Sequence, residues 1–90
     1  MITNFDDWIL VTEGLYLYKI KDNIRYELYI KYCEPYTNIL KFPASLYISG
    51  TYHTKKILAG RYFNRDLLLE YHSIGNCIAY AQKHYNEYFS

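Results

Sequence analysis

The side chains that could bind a metal ion are few and scattered in this sequence. The nominal ligands are Cys33, Cys77, His72 and His84. No two of them have the C-x-x-C or H-x-x-x-H spacing that brings ligands together around zinc. Cys77 and His84 lie seven residues apart, so they can share one side of a helix. We interpret them as a core thiol and a partly exposed imidazole. The sequence therefore predicts neither a metal site nor a cofactor.

Residues for nucleophilic catalysis are equally scattered. A cysteine or serine nucleophile needs a base within hydrogen-bonding reach, and neither His53 nor His72 lies in a recognisable motif. Apart from Asp6 and Asp7 the carboxylates are dispersed, and no glycine-rich phosphate loop is present because the 4 glycines stand alone. We therefore expect a protein without enzymatic activity.

Tyrosine is the unusual residue type, with 13 copies, five of them in the segment "GLYLYKIKDNIRYELYIKY". Tyrosine and arginine are enriched at interface hot spots, because they bury a large rigid area and still offer a hydrogen bond. The sequence thus predicts a partner-binding face formed by Tyr16, Tyr18, Arg25, Tyr29 and Lys31. Two structural interpretations stay open: cross-strand aromatic pairs that only stabilise the sheet, or an amino-terminal segment that covers these tyrosines.

A second cluster is basic and consists of Lys55, Lys56, Arg61 and Arg65. Such clusters are usually solvated surface, and Asp66 and Glu70 dilute the charge of this one. If the cluster is functional, it is the place where phosphate contacts are expected.

The tyrosine-rich segment reads as a β-hairpin with a two-residue turn at Asp22-Asn23, because both residue types tolerate positive φ. This turn places Leu17 opposite Leu28 and Tyr16 opposite Tyr29. Side chains alternate between the faces of a strand. The predicted core face therefore carries Leu15, Leu17, Leu28 and Ile30, with Tyr26 at its edge. The predicted outer face carries Tyr16, Tyr18, Arg25, Glu27, Tyr29 and Lys31.

Further elements follow along the chain. "ASLYISG" alternates as a strand, "ILAGRYF" predicts another, and "LLLEY" is either a last strand or the lead into a helix. Ser73 caps an amphipathic helix in which apolar residues recur from Ile74 to Phe89. Residues 1–13 fit a short helix or a strand. The sequence predicts one α+β domain over residues 1–90, an antiparallel meander of about four strands with one C-terminal helix packed on one face.

Charge and hydropathy exclude several classes of protein. The net charge is +1. An acidic mimic of DNA needs a large negative charge, and a protein that binds duplex DNA through many phosphates is usually strongly positive, so the sequence fits neither class. No run approaches the roughly 18–20 apolar residues of a membrane span, and the acidic start does not resemble a secretory signal. We therefore expect a cytoplasmic protein with free thiols and no membrane contact.

In its shortness, its Tyr/Ile/Asn/Lys bias and its lack of a catalytic motif, the chain resembles small phage and mobile-element proteins, anti-CRISPR proteins among them. This resemblance implies an inhibitor that binds and blocks a host protein, such as a CRISPR or other defence nuclease complex.

The order of elements carries a second resemblance. A small sheet ("LYLYKI", "IRYELYIK", "ASLYISG") followed by one helix ("SIGNCIAYAQKHYNEYF") is similar to the arm-binding domains of phage integrases. That resemblance implies a nucleic-acid-binding module. A homodimer formed through the exposed sheet face or an unpaired edge strand is a third interpretation.

Overall fold

The computed structural model describes residues 2–21, 23–32, 38–50 and 64–89. They form an open antiparallel sheet of five strands in the order β1-β2-β3-β4-β5, followed by one α-helix. The α+β architecture predicted from the sequence is confirmed, with one strand more than expected. The elements are β1 (Ile9–Thr12), β2 (Leu15–Lys21), β3 (Ile24–Ile30), β4 (Pro43–Gly50), β5 (Asn64–Ser73) and α1 (Ile74–Tyr88), with short 3-10 helices at Phe5–Asp7 and Ile39–Lys41.

The amino-terminal segment, which the sequence left open between helix and strand, contains both. Asn4 caps the first 3-10 helix, its side-chain oxygen accepting the Asp6 N–H at 3.0 Å, and β1 follows directly. The Trp8 indole N–H donates to the Ile2 carbonyl at 2.7 Å, and both side chains are buried. This hydrogen bond anchors the start of the chain to the core.

The core lies between one face of the sheet and α1. The central strands contribute buried Tyr26, Leu28, Leu46 and Ile48. The helix covers them with Ile74, Cys77, Ile78 and Ala81. Burial of each large aliphatic side chain contributes roughly 1.5–3 kcal/mol. As predicted, Ser73 caps α1, its hydroxyl oxygen accepting the Asn76 N–H at 3.2 Å.

The β4 alternation is as predicted: Ala44, Leu46 and Ile48 face the core, and Ser45, Tyr47 and Ser49 face the other side. The "LLLEY" segment is part of β5. The predicted strand "ILAGRYF" and the residues Cys33, Lys55, Lys56 and Arg61 lie outside the described residues.

The predicted hairpin register is correct only at the turn. Lys21 pairs with Ile24, as a two-residue turn requires, but Lys19 already pairs with Arg25. Ile20 is therefore one extra residue in β2, a β-bulge. Beyond the bulge the pairing is shifted by one, so that Leu17 faces Glu27 instead of Leu28.

This shift inverts the faces of β2, because a slip of one residue moves every side chain of a strand to the opposite face. Tyr16 and Tyr18 lie on the core side, where Tyr16 packs on Phe5 and Tyr18 on Trp8, with ring centroids 4.8 and 5.6 Å apart. The prediction that these two tyrosines share the outer face with Tyr29 is wrong. The bulge instead allows both of them to meet the aromatic residues of the amino-terminal segment.

No helix in the described part of the chain combines the length and the apolar character that a membrane crossing requires.

Candidate functional site: a carboxylate-centred cluster on the outer face

The site lies on the outer face of the sheet, defined here as the face opposite α1 and Trp8. Strand pairing places one residue from each strand in a continuous row: Ile9, Leu17, Glu27, Tyr47 and Leu67. The ends of this row are exposed apolar side chains, Ile9 at 65% and Leu67 at 46%. Its centre is a carboxylate.

Glu27 is only 5% exposed, which is unusual for a glutamate on a sheet face that no described helix covers. Its carboxylate accepts hydrogen bonds from Ser49 Oγ at 2.7 Å, from Tyr29 Oη at 3.0 Å and from Arg65 Nε at 2.8 Å. Arg25 Nε lies 3.5 Å from the second carboxylate oxygen. A buried carboxylate is tolerated when it is paired and hydrogen-bonded in this way.

These contacts determine the ionisation of the carboxylate. Burial alone would raise the pKa of Glu27, but the hydrogen bonds donated by Arg65, Ser49 and Tyr29 outweigh burial and lower that pKa below its ordinary value. Glu27 is therefore a fixed negative charge at neutral pH.

Arg65 packs against two tyrosine rings beside this carboxylate. Its guanidinium carbon lies 3.7 Å from the centroid of the Tyr47 ring and 4.8 Å from that of the Tyr29 ring. The two rings meet edge to face, 5.4 Å apart at 81°. Because the rings are nearly perpendicular, the planar guanidinium can stack on one of them only, and the shorter distance assigns this stacking to Tyr47 while Tyr29 adds a cation–π contact. Arg65 therefore has a defined position although its side chain is 40% exposed.

An open pocket of about 290 Å³ lies beside this stack. It is lined by Tyr29, Ile30, Lys31, Ser45, Tyr47, Arg65 and Tyr71. The pocket therefore combines tyrosine rings with two cationic side chains, and it lies over the ends of β3 and β4 where β5 bulges.

Tyr71 forms the rim of the pocket in an unusual backbone conformation. Its φ is 55°, in the left-handed region that non-glycine residues avoid. The strand pairing shifts between Leu69 and His72, and the Tyr71 N–H donates to Ser45 Oγ at 3.3 Å. The bulge leaves the Tyr71 side chain 67% exposed.

The structure brings together some of the predicted site residues and separates others. Arg25 and Tyr29 lie on the outer face, Lys31 follows β3 and lines the pocket, and Arg65 from the predicted basic cluster joins them. Tyr16 and Tyr18 belong to the opposite face. Sequence reasoning missed Tyr47 and Tyr71 as site residues. Tyr47 could have been found, because the alternation of β4 predicts that its side chain lies on the face opposite the core.

The core side of the sheet also holds titratable residues, but their side chains are buried and not accessible at the surface. The Tyr26 hydroxyl and His84 Nδ1 are 2.8 Å apart, and both side chains are buried. The interpretation of His84 as a partly exposed imidazole is therefore wrong, because its helix position turns it towards the sheet. Burial lowers the pKa of His84 and raises the pKa of the Cys77 thiol to about 11, so at neutral pH the imidazole is uncharged and the thiol keeps its proton.

Within the four described stretches, no three His, Cys, Asp or Glu side chains converge in a way that could hold a metal ion. Comparison of the chain with protein-family models, with curated proteins and with solved structures finds no match.

Proposed function

We propose that this chain is a non-enzymatic interaction protein that binds and blocks a protein partner through the outer face of its sheet. The observation that carries the proposal is the Tyr29–Arg65–Tyr47 stack fixed on buried Glu27. Tyrosine and arginine held rigidly at the centre of a surface are the residue types of interface hot spots. The exposed apolar ends of the row, Ile9 and Leu67, extend this surface on both sides.

A protein partner is favoured over the alternative, a nucleic-acid module. Phosphate binding along a polynucleotide needs several cations whose charge is not compensated, whereas Glu27 offsets part of the charge of Arg25 and Arg65, which both contact it. A polynucleotide would also place its phosphates over the apolar residues Ile9, Leu17 and Leu67 of the same face. These two features support an interface with protein.

The resemblance to small phage inhibitors gives the class of partner to test first, a host defence nuclease complex in the cytoplasm. An inhibitor of this kind needs no catalytic residues, since occupying a surface of its target is sufficient. The cluster around Glu27 is suited to that task because its geometry is set before the partner arrives, which lowers the entropic cost of binding.

The test is capture of partners from a bacterial lysate on the tagged protein, with and without nuclease treatment. The variant Tyr29→Ala/Tyr47→Ala removes both rings of the stack, and Tyr80→Ala is the matched control, because Tyr80 is 38% exposed on α1. We expect the wild type and the control to retain a specific protein after nuclease treatment, and the double variant to lose it. Circular dichroism confirms that each variant is folded.

Two outcomes contradict the proposal. In the first, a folded double variant retains the same protein. In the second, every captured protein is lost after nuclease treatment, which supports the nucleic-acid module instead. Size measurement at several concentrations separates both outcomes from a homodimer, whose apparent mass rises with concentration and falls in the double variant.

A further inference from the structure

The pocket beside the stack holds two cationic side chains, Lys31 and Arg65, among tyrosine rings. Arginine has five N–H donors. Glu27 accepts the Nε–H of Arg65 at 2.8 Å, and the Tyr29 hydroxyl is within hydrogen-bonding reach of the guanidinium. These two contacts account for two of the five donors of Arg65, and the others can meet a ligand in the fork geometry that binds a planar anion at two points.

The position of Arg65 is set in advance. The rings of Tyr47 and Tyr29 contact its guanidinium, and Glu27 holds one edge. A long side chain that is already ordered loses less freedom when a ligand binds. The pocket thus offers a pre-positioned cation and a second one, Lys31, on its wall.

The surroundings select among anions. Next to the pocket, the row across the sheet carries Leu17 and Leu67, which offer nothing to a chain of phosphates. The positive charge of Arg65 is partly compensated by Glu27 directly beneath it. A carboxylate on a short aliphatic side chain carries one negative charge. It therefore matches this partly compensated cationic pocket better than a phosphate dianion does.

The rim adds an independent indication of a binding site. Tyr71 is held in the left-handed region with φ of 55° while its side chain is 67% exposed. Strained backbone conformations persist where the surrounding structure imposes them, and they cluster at binding sites. Here the strained residue places a third tyrosine ring against the pocket of Arg65 and Lys31.

We propose that this pocket binds the carboxylate of an aspartate or glutamate side chain on the protein partner. Arg65 donates two hydrogen bonds to the carboxylate, Lys31 supplies the second positive charge, and Tyr47 and Tyr71 pack against the aliphatic stem of the bound side chain. The inference rests on the proposed function, since it names the chemistry of the partner at that same face.

The experiment is a titration of the ¹⁵N-labelled full chain with a capped peptide, acetyl-Ala-Ala-Glu-Ala-Ala-amide, followed by NMR. The matched probe replaces Glu by Gln, and inorganic phosphate is the third probe. We expect saturable shifts of the Lys31, Ser45 and Tyr71 amides with the Glu peptide, and an affinity about tenfold lower for the Gln peptide. The Lys31→Gln variant should weaken binding of the Glu peptide, and Arg65→Lys should weaken it further, because lysine keeps the charge but loses the fork. Lys83→Gln is the matched control, an exposed lysine on α1.

Three results overturn the inference: equal shifts with both peptides, no saturable shift with either, or tighter binding of phosphate at the same amides. Failure of the inference is distinguishable from failure of the proposed function when Lys31→Gln is also used in the partner capture. If the partner is captured normally by Lys31→Gln and lost by Tyr29→Ala/Tyr47→Ala, the outer face binds a protein without a carboxylate in the pocket. If neither variant changes capture, the interface lies elsewhere and the proposed function itself is wrong at this face.

Discussion

Substitution of Tyr71 by glycine should stabilise the fold relative to substitution by alanine, which is the reverse of the usual order in a strand. Tyr71 lies within β5, yet its φ is 55°, and it is the sole non-glycine residue with positive φ in the described stretches. Its side chain is 67% exposed, so truncation removes little packing from either variant. The comparison therefore measures the backbone.

The magnitude follows from two opposing contributions. A non-glycine residue in the left-handed region costs roughly 1–2 kcal/mol, which glycine avoids. Glycine in turn loses more conformational freedom on folding than alanine, at a cost of about 0.5–1 kcal/mol. The difference leaves Tyr71→Gly more stable than Tyr71→Ala by about 0.75 kcal/mol, the middle of a range from roughly 0 to 1.5 kcal/mol. At Ile9, a strand residue without positive φ, the same pair should give the opposite sign.

Urea unfolding followed by tryptophan fluorescence measures both pairs. Trp8 is the one tryptophan of the chain and is 4% exposed, so its emission reports loss of the core. Equal slopes with urea concentration confirm that only stability has changed. If Tyr71→Ala is more stable than Tyr71→Gly by as much as Ile9→Ala is more stable than Ile9→Gly, the backbone at Tyr71 is not strained, and the indication that it gives for the pocket is lost.

Further expectations concern buried titratable groups. Glu27→Gln should lower the free energy of unfolding in urea by about 1–3 kcal/mol, because Ser49 and Arg65 lose their charged acceptor; an unchanged midpoint would contradict the hydrogen-bonded cluster. Stability should fall as the pH drops below about 6.5. In this range the imidazole of His84 binds a proton in the unfolded chain, whereas in the folded chain its lowered pKa keeps it neutral. His84→Gln should flatten that dependence at pH values above those where the carboxyl groups titrate, and a profile identical to that of the wild type would contradict it. Below about pH 4.3 a second loss should follow, because the folded pKa of Glu27 is lowered and the unfolded carboxyl takes up a proton first. In a Cys33→Ser background, Cys77 should react with a disulfide reagent at pH 8 only when urea unfolds the chain, because burial raises its pKa to about 11; fast labelling of the folded protein would contradict its burial.

The elements with a clear period were predictable from the sequence. The helix follows from Ser73 and the recurring apolar residues after it, and β4 from its alternation. The face of β2 was not predictable in the same way. "LYLYKIK" carries leucine on one parity and tyrosine on the other, so both faces are apolar enough for a core and the pattern does not choose between them. The bulge at Ile20 determines which face of β2 lies on the core. It is favoured by the contacts of Tyr16 with Phe5 and of Tyr18 with Trp8. Phe5 and Trp8 belong to the amino-terminal segment, whose position in the fold the sequence does not give.

The candidate site was predictable only in its β3 residues. Arg25 and Tyr29 follow from strand alternation, and Lys31 comes directly after them. The sequence groups Arg65 with the basic residues Lys55, Lys56 and Arg61, since its neighbours along the chain are the only context that a sequence offers. Its contact with Glu27 joins residues 38 apart in the chain. Such long-range pairs depend on the strand order and on the register of β5, whose two shifts leave no local signal.

The ion cluster explains why overall charge is a poor guide to this surface. A net charge of +1 argues against a polyanion-binding protein. It averages, however, over a face on which Glu27 is buried while the Arg65 side chain that it holds remains 40% exposed. A buried ion pair adds little stability compared with apolar residues of the same volume, and Leu17 beside Glu27 shows that apolar residues fit this face. What the carboxylate provides is position: it holds Arg65 against the rings of Tyr29 and Tyr47 through its Nε–H, which is one of five N–H donors. A surface can therefore present a directed cation to a single carboxylate while the protein as a whole stays close to neutral.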